Sequence, residues 1–281
     1  MKNTNLVLAL FLSIASFGQE INPPIHVQKV GEGKPVLLIP GFTVPGESWD
    51  ATVNHLKANF QCHVVTLAGF GGMAPIDFPW LPKVNAALED YINEHQLTDV
   101  TIIGHSLGGI IATWLASRDD NSISKLILVD ALPAAGALMI PDFNPDNLAY
   151  ESPFNNQQLA LSDAQFEQMA SAMSKGMSIN TEAQERIKEW IVQADRKTYV
   201  YGYTDYLKLD MREDLKNISV PVTIIAAEKP FGKETVLSNF KSQYANLSSY
   251  DVILAEDSAH FVMFDKPDWF IAQIQQLLDS N

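Results

Sequence analysis

The stretch TIIGHSLGGIIATWLAS, residues 101–117, limits the folds open to this chain more than any other. An apolar run of strand character enters Gly104-His105-Ser106-Leu107-Gly108, and a run of apolar and small residues with helical spacing follows. A turn this tight brings backbone against backbone, so glycine is expected at Gly104 and Gly108, where a side chain would collide. Ser106 is then lifted above a sheet edge at the start of a helix, where developing negative charge is favoured. This is the nucleophile-elbow arrangement, and it predicts parallel strands alternating with helices.

The rest of the chain repeats that alternation. IHVQKVGEGKPVLLIPG predicts two strands around a Gly-containing turn. Residues 48–59 have helical spacing of Trp49, Val53 and Leu56, and CHVVTL (62–67) is a strand. Residues 82–96 form an amphipathic helix with proline near its start, and SKLILVDALP (124–133) is another apolar strand. From 134 to about 217 the pattern turns polar, Met-rich and helical. It resumes with SVPVTIIAA, GKETVLSNFKSQYA, SSYDVILAE and KPDWFIAQIQQLL, as strand, helix, strand and helix. The expected organisation is a core of residues 19–133 and 218–281 with a helical cap at 134–217. Sites in parallel sheets form at the carboxyl ends of strands, where this insertion emerges, so a lid over a site is expected.

A length of 281 residues with 47% hydrophobic side chains suits one domain with an insertion. The net charge of −14 repels nucleic acid and anionic headgroups and argues against both as partners. Residues 1–18 read as a cleavable signal peptide. Lys2 gives the positive start, residues 6–14 an apolar stretch too short to span a bilayer, and Ser16 and Gly18 the small residues before a cut at Gln19. Export to the periplasm or the medium is expected, with no later membrane span. Cys62 is the single cysteine, which leaves no internal disulfide and reads as a buried core thiol.

A serine hydroxyl needs a general base. Of six histidines, His26, His55, His63 and His95 precede the elbow on predicted strands or helices. His105 lies inside the elbow, pointing away, with a packing role. His260, in AEDSAHFVMFDKP between the last predicted strand and helix, reaches the same sheet edge as Ser106 and is the expected base. No HExxH and no His pair at ligand spacing occurs, so neither a metal nor a cofactor is expected.

The pieces LIPGF, LAGFGG, GHSLGG, LILVDALP and SAHFVMFDKPDWF, in this order, resemble elements of the α/β-hydrolase superfamily over essentially all of the mature chain. The resemblance implies an α/β fold: a mostly parallel central sheet, helices on both faces, and a helical cap inserted after the strand ending at Asp130. It implies oxyanion donors at the backbone N–H groups of Phe42 and Leu107. Pro40 stands where many relatives have histidine, which a backbone donor tolerates. The acid departs from the pattern. Many relatives carry an Asp after the penultimate strand, where this chain reads AAEKPFGKE with none. Asp130 and Glu228 both remain candidates to orient His260, with Asp130 preferred for its strand beside the elbow strand and its shorter carboxylate. Asp257 is a surface alternative.

The activity implied is that of an exported serine hydrolase cleaving carboxylic esters of a small-molecule acyl substrate through Ser106, His260 and Asp130 and an acyl-enzyme. Serine at the elbow argues against epoxide hydrolases and haloalkane dehalogenases, which use a carboxylate. Aminopeptidase, C–C hydrolase, lactonase and acyltransferase activities stay open, as does a catalytically silent ligand-binding protein. Met139, Met169, Met173 and Met177 are candidates to line a pliable apolar pocket.

Overall fold

β-branched and leucine side chains alternate their direction along each strand, and both directions are apolar here, so the sheet must be covered on both faces. In the computed structural model, which describes residues 22–119 and 121–280, seven strands form one sheet. They are β1 (Ile25–Val30), β2 (Lys34–Ile39), β3 (Phe60–Leu67), β4 (Val100–His105), β5 (Ile123–Val129), β6 (Val222–Ala227) and β7 (Asp251–Ala255). Their order is β1-β3-β2-β4-β5-β6-β7, with β1 antiparallel to β3 and every other pairing parallel. The expected signal segment lies outside the described residues.

The two faces bury two apolar layers. Leu37, Ile39, Ile102, Leu126, Leu128 and Ile224 point into one. It is covered by α2 (Trp80–Glu94), α3 (Leu107–Ala116) and α9 (Lys233–Gln243). Val36, Leu38, Ile103, Ile127, Val129 and Ile225 point into the other, covered by α1 (Asp50–Leu56) and α11 (Pro267–Asp279). Short α10 (Val262–Asp265) precedes α11. Cys62 is fully buried in β3, which pushes its thiol up to about 11.

Between β5 and β6 the chain builds α4 (Ala135–Met139), α5 (Pro153–Leu159), α6 (Asp163–Met177), α7 (Thr181–Gln193), a π-helical turn (Thr198–Gly202) and α8 (Tyr203–Lys208). Local chemistry starts the longer of these. Ser162 and Gln165 make a capping box on α6, and Asn180 accepts the Glu182 and Ala183 N–H groups on α7. Carboxylates then bind the insertion to the sheet layers. Glu47 accepts the Trp190 indole N–H at 2.9 Å, and Asp265 accepts the Ile179 N–H at 3.0 Å and the Ser178 hydroxyl. Asp205 accepts the Trp80 and Leu81 N–H groups at 2.7 and 3.0 Å. That long-range cap starts α2 at Trp80, two residues before the position its sequence indicates.

Candidate active site

Strand β4 ends at His105, and Ser106 takes φ 52° and ψ −118°. A non-glycine residue with positive φ is strained and persists only where its surroundings fix it. The Ser106 N–H donates to the Val129 carbonyl at 2.9 Å, and the Ser106 carbonyl accepts from Gly109 at 2.9 Å. A Cβ added at Gly104 would stand 2.4 Å from the Gly108 carbonyl oxygen, and one at Gly108 would stand 2.2 Å from that of Ile39. The elbow is therefore closed to side chains at both positions.

Strand β5 ends at Val129, and Asp130, just beyond it, also has positive φ (46°). Its N–H donates to the Ile225 carbonyl at 2.8 Å, and its Oδ1 accepts the Ala227 N–H at 3.0 Å. With the carboxylate gripped by β6 in this way, Oδ2 lies 2.6 Å from Nδ1 of His260. The other acidic candidates are turned elsewhere. Glu228 accepts the Asp257 N–H at 2.7 Å, and exposed Asp257 pairs with Lys229 at 3.2 Å.

The loop bearing His260 is held on both sides. The Ala259 N–H donates to Asp265 at 2.7 Å, and the Phe261 N–H to the Met177 carbonyl at 3.0 Å. His105, expected to pack, does so and adds a bond: its Nε2 lies 3.0 Å from the His260 carbonyl oxygen. Burial and the neighbouring His260 hold the His105 imidazole well below the usual histidine range, so it is neutral. A carbonyl can only accept, so Nε2 carries the His105 proton.

Leu107 is the first residue of α3, so its N–H has no helical carbonyl four residues back. Phe42 sits in a turn closed by the Val44 N–H on the Gly41 carbonyl at 3.2 Å. Its ring packs against Phe70, Trp80, Tyr199 and Tyr203 at centroid distances of 4.9, 6.1, 5.9 and 5.5 Å. Those contacts fix the backbone beside the elbow.

Ser106, His260 and Phe42 line one cavity of about 160 Å³. Of the four candidate methionines, Met173 and Met177 reach it, whereas Met139 and Met169 line a neighbouring one. The tyrosines were not anticipated. Tyr199, Tyr203 and Tyr206 line the cavity from the π-helical turn and α8, together with Ser106. Burial raises Tyr206 above the usual phenol range, which keeps it neutral. The signal in the sequence was density: four of the nine residues in TYVYGYTDY are tyrosine. The remaining histidines lie apart. His63 is buried in β3 between Tyr91 (2.7 Å) and Gln61 (2.9 Å), and His55 meets Gln275 on the surface. Among the described residues no group of three or more His, Cys, Asp or Glu is arranged to hold a metal ion.

Fold and site together define the class: the chain belongs to the alpha/beta hydrolase family, whose profile matches residues 36–273. It is 27% identical over 202 residues to a pimeloyl-[acyl-carrier protein] methyl ester esterase of Vibrio cholerae, covering 70% of this chain and 76% of that one. Among solved structures, a hydrolase from Pseudomonas aeruginosa superposes with TM-score 0.76 at 17% identity, over 91% of this chain and 94% of that one. An esterase from Exiguobacterium antarcticum gives 0.74 at 20% identity, over 91% and 96%. At these identities the two structures share the fold.

Proposed function

We propose that this chain is an exported serine ester hydrolase that cleaves carboxylic esters of small acyl compounds. The observation that carries the reading is the 2.6 Å contact of Asp130 with Nδ1 of His260, a residue that lines the same cavity as the strained Ser106. The relative from Vibrio cholerae, named as a methyl ester esterase, supports an ester as the bond attacked.

With Nδ1 donating to Asp130, Nε2 of His260 is the nitrogen left to accept a proton. Ser106 Oγ attacks the ester carbonyl while His260 takes its proton, and Asp130 stabilises the imidazolium that results. The carbonyl oxygen becomes an oxyanion held by the N–H groups of Phe42 and Leu107 and by the positive end of α3. Collapse breaks the bond to the alcohol, which leaves with the proton from His260. Water, deprotonated by His260, then attacks the acyl-enzyme, and Ser106 recovers its proton as the acid departs. The helices between β5 and β6 act as a cap that excludes bulk water from these steps. Export rests on residues 1–18 and their cut before Gln19.

The test is hydrolysis of p-nitrophenyl esters from acetate to decanoate by the wild type and Ser106→Ala. The expected loss in the variant is at least about a thousandfold in kcat, and a variant that keeps its turnover overturns the reading. An exported product whose mass begins at Gln19 supports the cleavage; full-length protein retained in the cell contradicts it.

A further inference from the structure

The cavity at Ser106 is small. Cavities that hold small-molecule ligands run to about 300–1,000 Å³, and this one is about 160 Å³. It accepts the reacting ester group but little more. A second chamber of about 530 Å³ lies beside it, lined entirely by residues of the insertion, and Met173, Tyr199 and Tyr203 belong to the walls of both.

That chamber is built for an uncharged chain. None of its lining residues is an acid, a base or a histidine, and its side chains are largely apolar, among them Leu148, Phe154, Met169 and Leu207. Two of its polar side chains, Asn155 and Thr204, are occupied with each other and with the backbone. The Asn155 amide donates to the Ala149 and Tyr150 carbonyls at 3.1 and 2.9 Å and to the Thr204 hydroxyl at 2.9 Å. Thr204 in turn donates to the Val200 carbonyl at 3.1 Å. A charged group carried into such a space meets no opposite charge and loses its hydration.

The wall between the two spaces has one fixed side and one soft side. Tyr199 rides on the π-helical turn, a geometry frequent at functional sites. That turn is tied down by Asp195, which accepts both the N–H and the hydroxyl of Thr198 at 2.7 Å. Across from it stands Met173, whose sulfur accepts the Tyr199 hydroxyl at 3.4 Å. A thioether is a weak acceptor on an unbranched, flexible side chain, so Met173 swings aside at small cost.

We infer that this second chamber binds the aliphatic acyl chain of the substrate, entered from Ser106 by displacement of Met173. The inference rests on the esterase reading above. The acyl part is favoured over the alcohol because it stays on Ser106 through the covalent intermediate, whereas the alcohol leaves after the first step. The outer rim of the chamber carries exposed Met139 and Phe154, where the end of a longer chain emerges.

The test compares kcat/KM for p-nitrophenyl octanoate and acetate in the wild type, Leu207→Trp and Leu148→Trp, with labelling of Ser106 by a small fluorophosphonate as a check on the site. The expected wild-type ratio of octanoate to acetate is tenfold or more, falling about tenfold in a tryptophan variant that still labels. The octanoyl gain is expected to vanish for an eight-carbon acyl chain ending in a free carboxylate. A wild-type ratio below one overturns the proposal even if neither variant folds. So does an unchanged ratio in a labelling variant, or a gain that follows the alcohol chain of acetate esters instead. In each of those cases acetate turnover and labelling leave the esterase reading standing. A wild type that neither labels nor turns over any ester overturns that reading, and this proposal with it.

Discussion

The carboxylate of Asp130 meets Nδ1 of His260 at 2.6 Å across 130 residues of sequence, while its other oxygen accepts the Ala227 N–H at 3.0 Å. This carboxylate is thus oriented by the backbone of β6, the strand from whose end Glu228 would have to act. Asp130→Asn keeps the shape but favours the wrong imidazole tautomer, and is expected to lower kcat by about a thousand- to ten-thousandfold. Glu228→Gln, at a side chain turned to Asp257, is expected to change kcat by less than about tenfold. Steady-state ester hydrolysis by the two variants checks this, and the reverse order of losses contradicts it.

Asp205 is a long-range cap. Its carboxylate serves the first N–H groups of α2 and the Tyr150 hydroxyl at once. Asp205→Ala is expected to destabilise the protein by about 1–3 kcal/mol, since it leaves helix donors and a partly buried hydroxyl without an acceptor. Urea unfolding reads the loss, and an unchanged midpoint rejects the role.

Two buried histidines set an acid limit on stability. Burial pulls His63 down to about 4 and His105 well below 6.5. Both folded values lie under the unfolded one, so between them the unfolded chain binds more protons than the native state. Their contribution is fully present above about pH 6.5 and is lost as pH falls toward 4. Urea midpoints measured from pH 7.5 to 4.5 should decline over that window. His63→Phe should show a shallower decline, and an identical slope would count against the assignment.

The two glycine contexts give opposite signs. Gly108→Ala drives a methyl into the Ile39 carbonyl and is expected to cost roughly 1–3 kcal/mol and disturb the Ser106 turn. Gly176 lies in α6, and nothing stands within 4 Å of its added Cβ. Gly176→Ala is expected to stabilise by about 0.5–1 kcal/mol through helix propensity. Thermal unfolding of both variants checks the pair, and shifts of the same sign contradict it.

Much of this architecture could be read from local pattern. Each buried strand is a short apolar run, and the elbow shows itself as a Gly-x-Ser-x-Gly string between a strand pattern and a helix pattern, although only Gly104 is imposed by a neighbour in sequence and Gly108 is imposed by distant Ile39. What depends on distant partners could not. The antiparallel pairing of β1 with β3, the start of α2 under Asp205 and the choice between Asp130 and Glu228 are all set by groups far away in sequence. The tyrosine wall fell in the same class. Its residues are conspicuous in TYVYGYTDY, but only the fold of the insertion brings Tyr199, Tyr203 and Tyr206 over Ser106.

The central claim is that Ser106 is an activated nucleophile. Its most direct test is the intact mass of the protein after exposure to a fluorophosphonate, for the wild type and for Ser106→Ala. The account predicts one covalent adduct on the wild type, mapped to the peptide containing Ser106, and none on the variant. An unlabelled wild type, or an adduct that persists in Ser106→Ala, would contradict it.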